Sequence, residues 1–182
     1  MKSHIIVTAM GADRVGIVDD LATLILERHC NVEESRMSVL GGEFAVILLL
    51  SGRHEDVRAL MDEMPARGGT LGLQIVIKET VPPKAAPDAL PYLLESVSLD
   101  TPGIVHALTA LLRRHGVNIE DMETDTTPAP WTGAPMFTVK ARLRLPAGLQ
   151  VAVLREELEA VESEHNLDIR LTPISVIQGD GS

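Results

Sequence analysis

Asp13-Arg14-Val15-Gly16-Ile17-Val18, with Leu21, Leu24 and Asn31-Val32-Glu33 behind it, returns as Asp100-Thr101-Pro102-Gly103-Ile104-Val105, Leu108, Leu111 and Asn118-Ile119-Glu120. Every pair is separated by 87 positions, without insertion or deletion from the first Asp to the final Glu. A constant offset marks one structural unit used twice. The repeat keeps Asp, Gly and Asn as well as apolar positions. These are turn residues, and turns are where binding chemistry concentrates.

Working outward through the first copy, Ile5 to Met10 reads as a buried strand and Gly11 to Gly16 as a turn. Ile17, Leu21, Leu24 and Ile25 then share one face at helical spacing. Asn31 to Leu40 reads as a second strand, Gly41-Gly42 as a tight hairpin turn, and Phe44 to Leu50 as a central strand. Val57, Leu60, Met61 and Met64 mark a second helix, expected to stop at Pro65 and Gly68-Gly69. Leu71, Leu73, Ile75 and Ile77 alternate as a last strand.

The second copy repeats this order from Tyr92–Leu99 to Leu167, Ile169 and Leu171. Its Phe137-to-Leu145 stretch alternates apolar residues with Thr138, Lys140, Arg142 and Arg144, as a strand with one wet face does. The order β-α-β-β-α-β, twice, predicts an α+β protein: two ferredoxin-like domains, each an antiparallel sheet with helices on one face. The expected boundaries are 1–80 and 92–176, a proline-rich, semi-rigid linker over 81–91, and a flexible tail over 177–182. The copies part at one hairpin. Gly41-Gly42 is answered by Thr127 to Pro135, which holds the single tryptophan, Trp131. Trp131 reads either as a partner-binding anchor or as a cap on its own core.

Composition narrows the function. The 182 residues carry a formal charge of −10 and are 2% aromatic. Direct DNA binding depends on Lys and Arg neutralising phosphates, and base stacking depends on aromatic side chains. The densest basic run, Arg113-Arg114-His115, closes a helix, where cations favour the dipole. The lone cysteine, Cys30, reads as a small buried hydrophobe. No apolar stretch reaches the roughly 18 residues of a membrane span, and no leader pattern precedes Ile5-Ile6-Val7. A cytoplasmic location is expected. The six histidines make no HExxH or paired ligand spacing, and there is no G-x-S-x-G elbow, P-loop or dinucleotide fingerprint. The reading is therefore of a non-enzyme, with no catalytic residue, cofactor or metal.

In the repeated turn, Gly16 or Gly103 would let a ligand or another backbone approach closely. A helix N-terminus attracts a carboxylate. Asp13 and Asp100 can cap that helix or accept hydrogen bonds from an ammonium group. Together these features describe a site for a zwitterionic amino acid. Asn31 and Asn118 begin the second strand, which is expected to lie near the first and so near the same loop. There Asn could bind a ligand's amino and carboxyl groups, or simply make the turn.

The D-x-x-G-[IV]-V turn and the later N-[IV]-E, both present twice, resemble ACT domains, βαββαβ modules that sense amino acids. Ala9 to Val18, Cys30 to Met37 and Leu49-Leu50-Ser51-Gly52 are similar to the glycine cleavage system transcriptional repressor family. That resemblance implies a non-enzymatic regulator that responds to glycine and acts through a DNA-binding partner. It also implies paired sheets, with amino-acid sites at inter-domain or inter-subunit edges. Exposed sheet edges and the small size of each copy separately favour a homodimer. The resemblance carries the ligand role to Gly11, Ala12, Asp13, Gly16 and Asn31, and by repeat to Ser98, Asp100, Gly103 and Asn118. Val15 stands where such turns often carry Pro. The alternatives are a stand-alone allosteric subunit of an amino-acid-metabolising enzyme, and purely structural pairing without ligand.

Overall fold

A computed structural model of the chain describes residues 2–81, 89–130 and 132–174. It separates into two compact units, Met1–Lys84 and Ala85–Ser182. The first contains β1 (Lys2–Ala12), α1 (Ile17–Glu27), β2 (Asn31–Leu40), β3 (Glu43–Arg53), α2 (His54–Thr70) and β4 (Gln74–Thr80). The second repeats it with β5 (Leu90–Leu99), α3 (Ile104–Arg114), β6 (Asn118–Pro128), β7 (Pro135–Leu145), α4 (Val151–His165) and β8 (Leu167–Pro173).

Each unit has one four-stranded antiparallel sheet, ordered β2-β3-β1-β4 and β6-β7-β5-β8. Alternation decides which face is covered. Ile5, Val7 and Ala9 of β1 and Phe44, Val46, Leu48 and Leu50 of β3 pack with Ile17, Leu21, Val57, Leu60 and Met64 of the helices. Leu94, Val139, Ala141, Leu143 and Leu145 do the same in the second unit, under Ile104, Leu108, Leu154 and Leu158. Both helices of a unit therefore lie on one side of its sheet, as a period-2 strand and a period-3.6 helix require.

The turns follow backbone chemistry. Gly41 and Gly42 have φ of 61° and 85°, the left-handed pair that a two-residue hairpin with the strand's own twist needs. Helix α1 ends in a Schellman motif: Cys30 N–H donates to the Ile25 carbonyl and His29 N–H to that of Leu26. Val117 and Gly116 close α3 the same way on Leu112 and Arg113. Cys30 and Val117, equivalent in the repeat, are both buried. Arg113 and Arg114 lie in the last turn of α3, and Arg114 pairs with Glu157 at 3.0 Å.

Three expectations are corrected. Helix α2 does not stop at Pro65; it carries Pro65 internally and runs to Thr70. Proline removes one hydrogen bond and crowds the previous turn, but the next turn is anchored by packing. Met64 is fully buried, and an added Cβ on Gly68 would meet Ile75 Cδ1 at 2.2 Å. Leu71 and Leu73 belong to the helix end rather than to β4. Gly72 (φ 76°) and Leu73 close a Schellman motif on Gly69 and Gly68, and buried Leu73 supplies its apolar contact. The long hairpin is also shorter than Thr127–Pro135 suggests, because Pro128 pairs with Pro135 at the ends of β6 and β7. Trp131 lies outside the described residues.

Candidate ligand site at the strand-to-helix turns

The backbone is arranged alike in the two turns. Asp13 N–H donates to the Gly42 carbonyl at 2.9 Å and Asp100 N–H to the Pro135 carbonyl at 3.0 Å, tying each turn to the neighbouring hairpin. Gly16 (φ 89°) and Gly103 (φ 102°) then take the N-cap position in left-handed geometry. A side chain there would be strained, so glycine is required by the turn itself. Neither helix has a side-chain cap. The exposed carboxylates of Asp13 and Asp100 therefore do not cap α1 and α3. The first-turn N–H groups, at Val18 and Asp19 and at Val105 and His106, have no intrahelical acceptor. Among the described residues these N–H groups and the Asp13 and Asp100 carboxylates have no hydrogen-bond partner, so a carboxylate acceptor and open donors share one turn at the positive end of a helix dipole, twice.

Beside the first turn is an open cavity of about 520 Å³, lined by Asp13, Arg14, Gly16, Ile17, Val18, Asp19, Ala22, Met37, Val39 and Phe44. Arg14 is held by Asp20 at 2.6 Å, which leaves Asp13 and Asp19 as its acidic rim.

The other sequence-derived positions scatter. Ala12 ends β1 opposite Glu43, next to the turn. Gly11 is set by packing: an added Cβ would lie 2.3 Å from the Gly72 carbonyl oxygen. Its counterpart Ser98 is buried, opposite Phe137 and Leu167, with its hydroxyl unpartnered among the described residues. Asn31 is not near the turn. Strand β3 lies between β1 and β2; Asn31 faces Ser51, whereas Ala12 faces Glu43. Eight strand steps separate those levels, roughly 25 Å at about 3.3 Å each. Asn118, opposite Arg144, is removed from Asp100 in the same way.

At that far end the structure brings forward a residue that the repeat retains without indicating a role for it. The register of β2 slips between Val32 and Glu34, and that of β6 between Ile119 and Asp121. Glu33 and Glu120 are thus the extra residues of equivalent β-bulges. Glu33 accepts hydrogen bonds from Lys2 Nζ (2.7 Å) and from buried Ser51 Oγ (2.5 Å). The Lys2 hydrogen bond, then Ser51, then the Lys2 charge hold its carboxyl down at about 2, with a smaller contribution from Asn31. The retained Glu of N-x-E is the available signal, and a bulge is invisible to a period-2 pattern.

Burial, reinforced by Asp56, pushes the Cys30 thiol up, away from thiolate reactivity. Among the described residues no cluster of three His, Cys, Asp or Glu is placed to hold a metal, and no helix is long and apolar enough to cross a membrane.

Comparison with known proteins gives two matches to the ACT domain, over residues 3–78 and 92–152. The chain is 29% identical over 179 residues to the glycine cleavage system transcriptional repressor of Escherichia coli (strain K12), covering 98% of this chain and 94% of that protein. It is 31% identical over 79 residues to a UPF0237 protein of Methanosarcina mazei, covering 42% of this chain and 86% of that one. Among solved structures, an unknown protein from Galdieria sulphuraria superimposes with a TM-score of 0.85 at 34% identity, covering 96% of this chain and 100% of that chain.

Proposed function

Since the chain belongs to the ACT domain family, with two such domains in tandem, we propose that it is a non-enzymatic regulator in the cytoplasm that binds a free amino acid, glycine foremost, at its strand-to-helix turns. The observation that carries this reading is the doubled, uncapped helix N-terminus beside an unengaged aspartate. The first-turn amides of α1 and α3 receive the ligand carboxylate, and Asp13 or Asp100 accepts from its ammonium group. The near full-length similarity to a transcriptional repressor supports an output on transcription. The charge of −10 supports delivery through a DNA-binding protein, because phosphate contact needs cations.

Strand β2 supports a homodimer as the responding unit. It is an edge strand with all ten residues exposed, an open template for a second strand. Antiparallel pairing of two β2 edges would carry the Asn31 end of one chain to the turn end of the other. Asn31 then joins the site of a second copy, though it is remote from its own. Ligand shifts such an assembly only through differential affinity for two packings.

Calorimetric titration with glycine tests the reading. Wild-type protein should release heat on binding, and Asp13→Ala/Asp100→Ala should lose it while keeping its circular dichroism spectrum. Unchanged binding by that folded variant would place the site elsewhere.

A further inference from the structure

The two turns share an anchor but not a wall. In the first unit the cavity is faced by Val18 of α1, by Met37 and Val39 of β2 and by Phe44 of β3. Val18, Met37 and Val39 are 48%, 57% and 46% exposed, so apolar surface faces the opening. Apolar surface grouped beside charged residues is a feature of binding sites.

The 87-residue offset assigns the second unit different chemistry at the same places. Val18 stays apolar as Val105, but Ala22 becomes Thr109, Met37 becomes Thr124, Val39 becomes Thr126 and Asp19 becomes His106. Strand register makes these equivalences structural. Met37 faces Val46 and Val39 faces Phe44, while Thr124 faces Val139 and Thr126 faces Phe137. Phe44 and Phe137 in turn face Gly11 and Ser98, themselves an offset pair. The first wall is thus aliphatic and thioether, whereas the second carries hydroxyls.

Resting on the reading of the turns as amino-acid sites, we propose that the two domains select different amino acids. The first takes an apolar side chain of the valine, leucine or methionine class. The second takes a small or hydroxylated one, glycine, serine or threonine. The rim of the first cavity suits a free amino acid: Asp13 and Asp19 face it with Arg14 neutralised by Asp20, matching an ammonium group, and the α1 amides match the carboxylate. An apolar wall then discriminates by the methylenes it covers, each worth about tenfold or more. A hydroxyl-lined wall gains nothing from them. One chain would respond to two classes of ligand through one backbone device.

The test is calorimetry with leucine, methionine, glycine and serine on the full chain and on two double variants, Met37→Thr/Val39→Thr and Thr124→Met/Thr126→Val. Threonine and valine both suit strands, and all four positions are exposed, so both variants should fold. Wild type should bind leucine and glycine without mutual competition. Met37→Thr/Val39→Thr should weaken leucine at least tenfold and leave glycine unchanged, and Thr124→Met/Thr126→Val should gain a second leucine site. Unchanged leucine affinity in the first variant, or full competition between leucine and glycine in wild type, would overturn the selectivity while leaving amino-acid sensing intact. A change confined to the dimer–monomer equilibrium would overturn it as well, by making the wall a contact between copies. Absence of heat with every amino acid would overturn both this inference and the function it rests on.

Discussion

Glu33 and Glu120 occupy the same bulge in two strands 87 residues apart, each the one residue of its strand without a cross-strand partner. Each reaches a cation: Glu33 meets Lys2 Nζ at 2.7 Å and Glu120 meets Arg144 Nε at 2.5 Å. The bulge re-aims a carboxylate that would otherwise alternate out of plane. Ser51, opposite Asn31, completes the Glu33 contact, and Arg144, opposite Asn118, takes the corresponding place. The Glu of the N-x-E motif is thus explained at the far end of the sheet from the turn, by the folding of β2 and β6.

Glu33 makes stability depend on pH in a definite direction. Its carboxyl is lowered from 4.5 to about 2 by Lys2 and Ser51. A depressed folded-state value contributes stability that is present above the unfolded value and lost as pH falls through the folded one. Wild type should lose that contribution between about pH 4.5 and 2, whereas Ser51→Ala should shift the Glu33 titration upward. Carbon-detected NMR titration of the Glu33 carboxyl reads both.

Two glycines should respond oppositely to the same substitution. Gly11→Ala places a Cβ 2.3 Å from the Gly72 carbonyl oxygen, a backbone atom that cannot swing aside. It should cost about 2–3 kcal/mol. Gly69 is helical and exposed, and a Cβ added there would have nothing within 4 Å, so Gly69→Ala should add about 0.5–1 kcal/mol. Urea unfolding of both variants measures the contrast.

His29 closes α1 with φ of 52°, where the equivalent residue of α3 is Gly116 at 65°. A non-glycine residue there carries left-handed strain that glycine avoids. His29→Gly should raise stability by about 0.5–1 kcal/mol, and Gly116→Ala should lower it by a similar amount. Thermal unfolding of the two variants checks the sign of each.

The purified protein should not retard DNA by itself at about 150 mM salt, where binding must be supplied by phosphate-neutralising cations. Retardation should require a DNA-binding partner and should change when amino acid is added. A mobility shift by the isolated chain would contradict partner-mediated action.

Much of the fold is legible in the sequence because its patterns are local. Strand β2 begins at Asn31 and ends at Leu40, and the Gly41-Gly42 turn follows, as alternation and turn chemistry indicate. Pro65 misleads because intrinsic propensity is outweighed by the packing of Met64 and Gly68 on either side of it. Leu73 misleads because a buried Schellman contact imitates one step of a strand. The site is legible only in part. Asp13 and Gly16 are joined by a short turn, which sequence spacing reports. The distance from Asp13 to Asn31 depends on β3 being inserted between β1 and β2, and a linear pattern carries no record of that strand order.

Amide-resolved NMR tests the central claim most directly. On titration of glycine and of leucine into the labelled wild-type chain, chemical-shift changes should concentrate at the first-turn amides, glycine moving Val105 and His106 of α3 and leucine moving Val18 and Asp19 of α1. They should vanish in Asp13→Ala/Asp100→Ala. Saturable binding that leaves those amides unmoved, or no binding at millimolar glycine, would contradict the account.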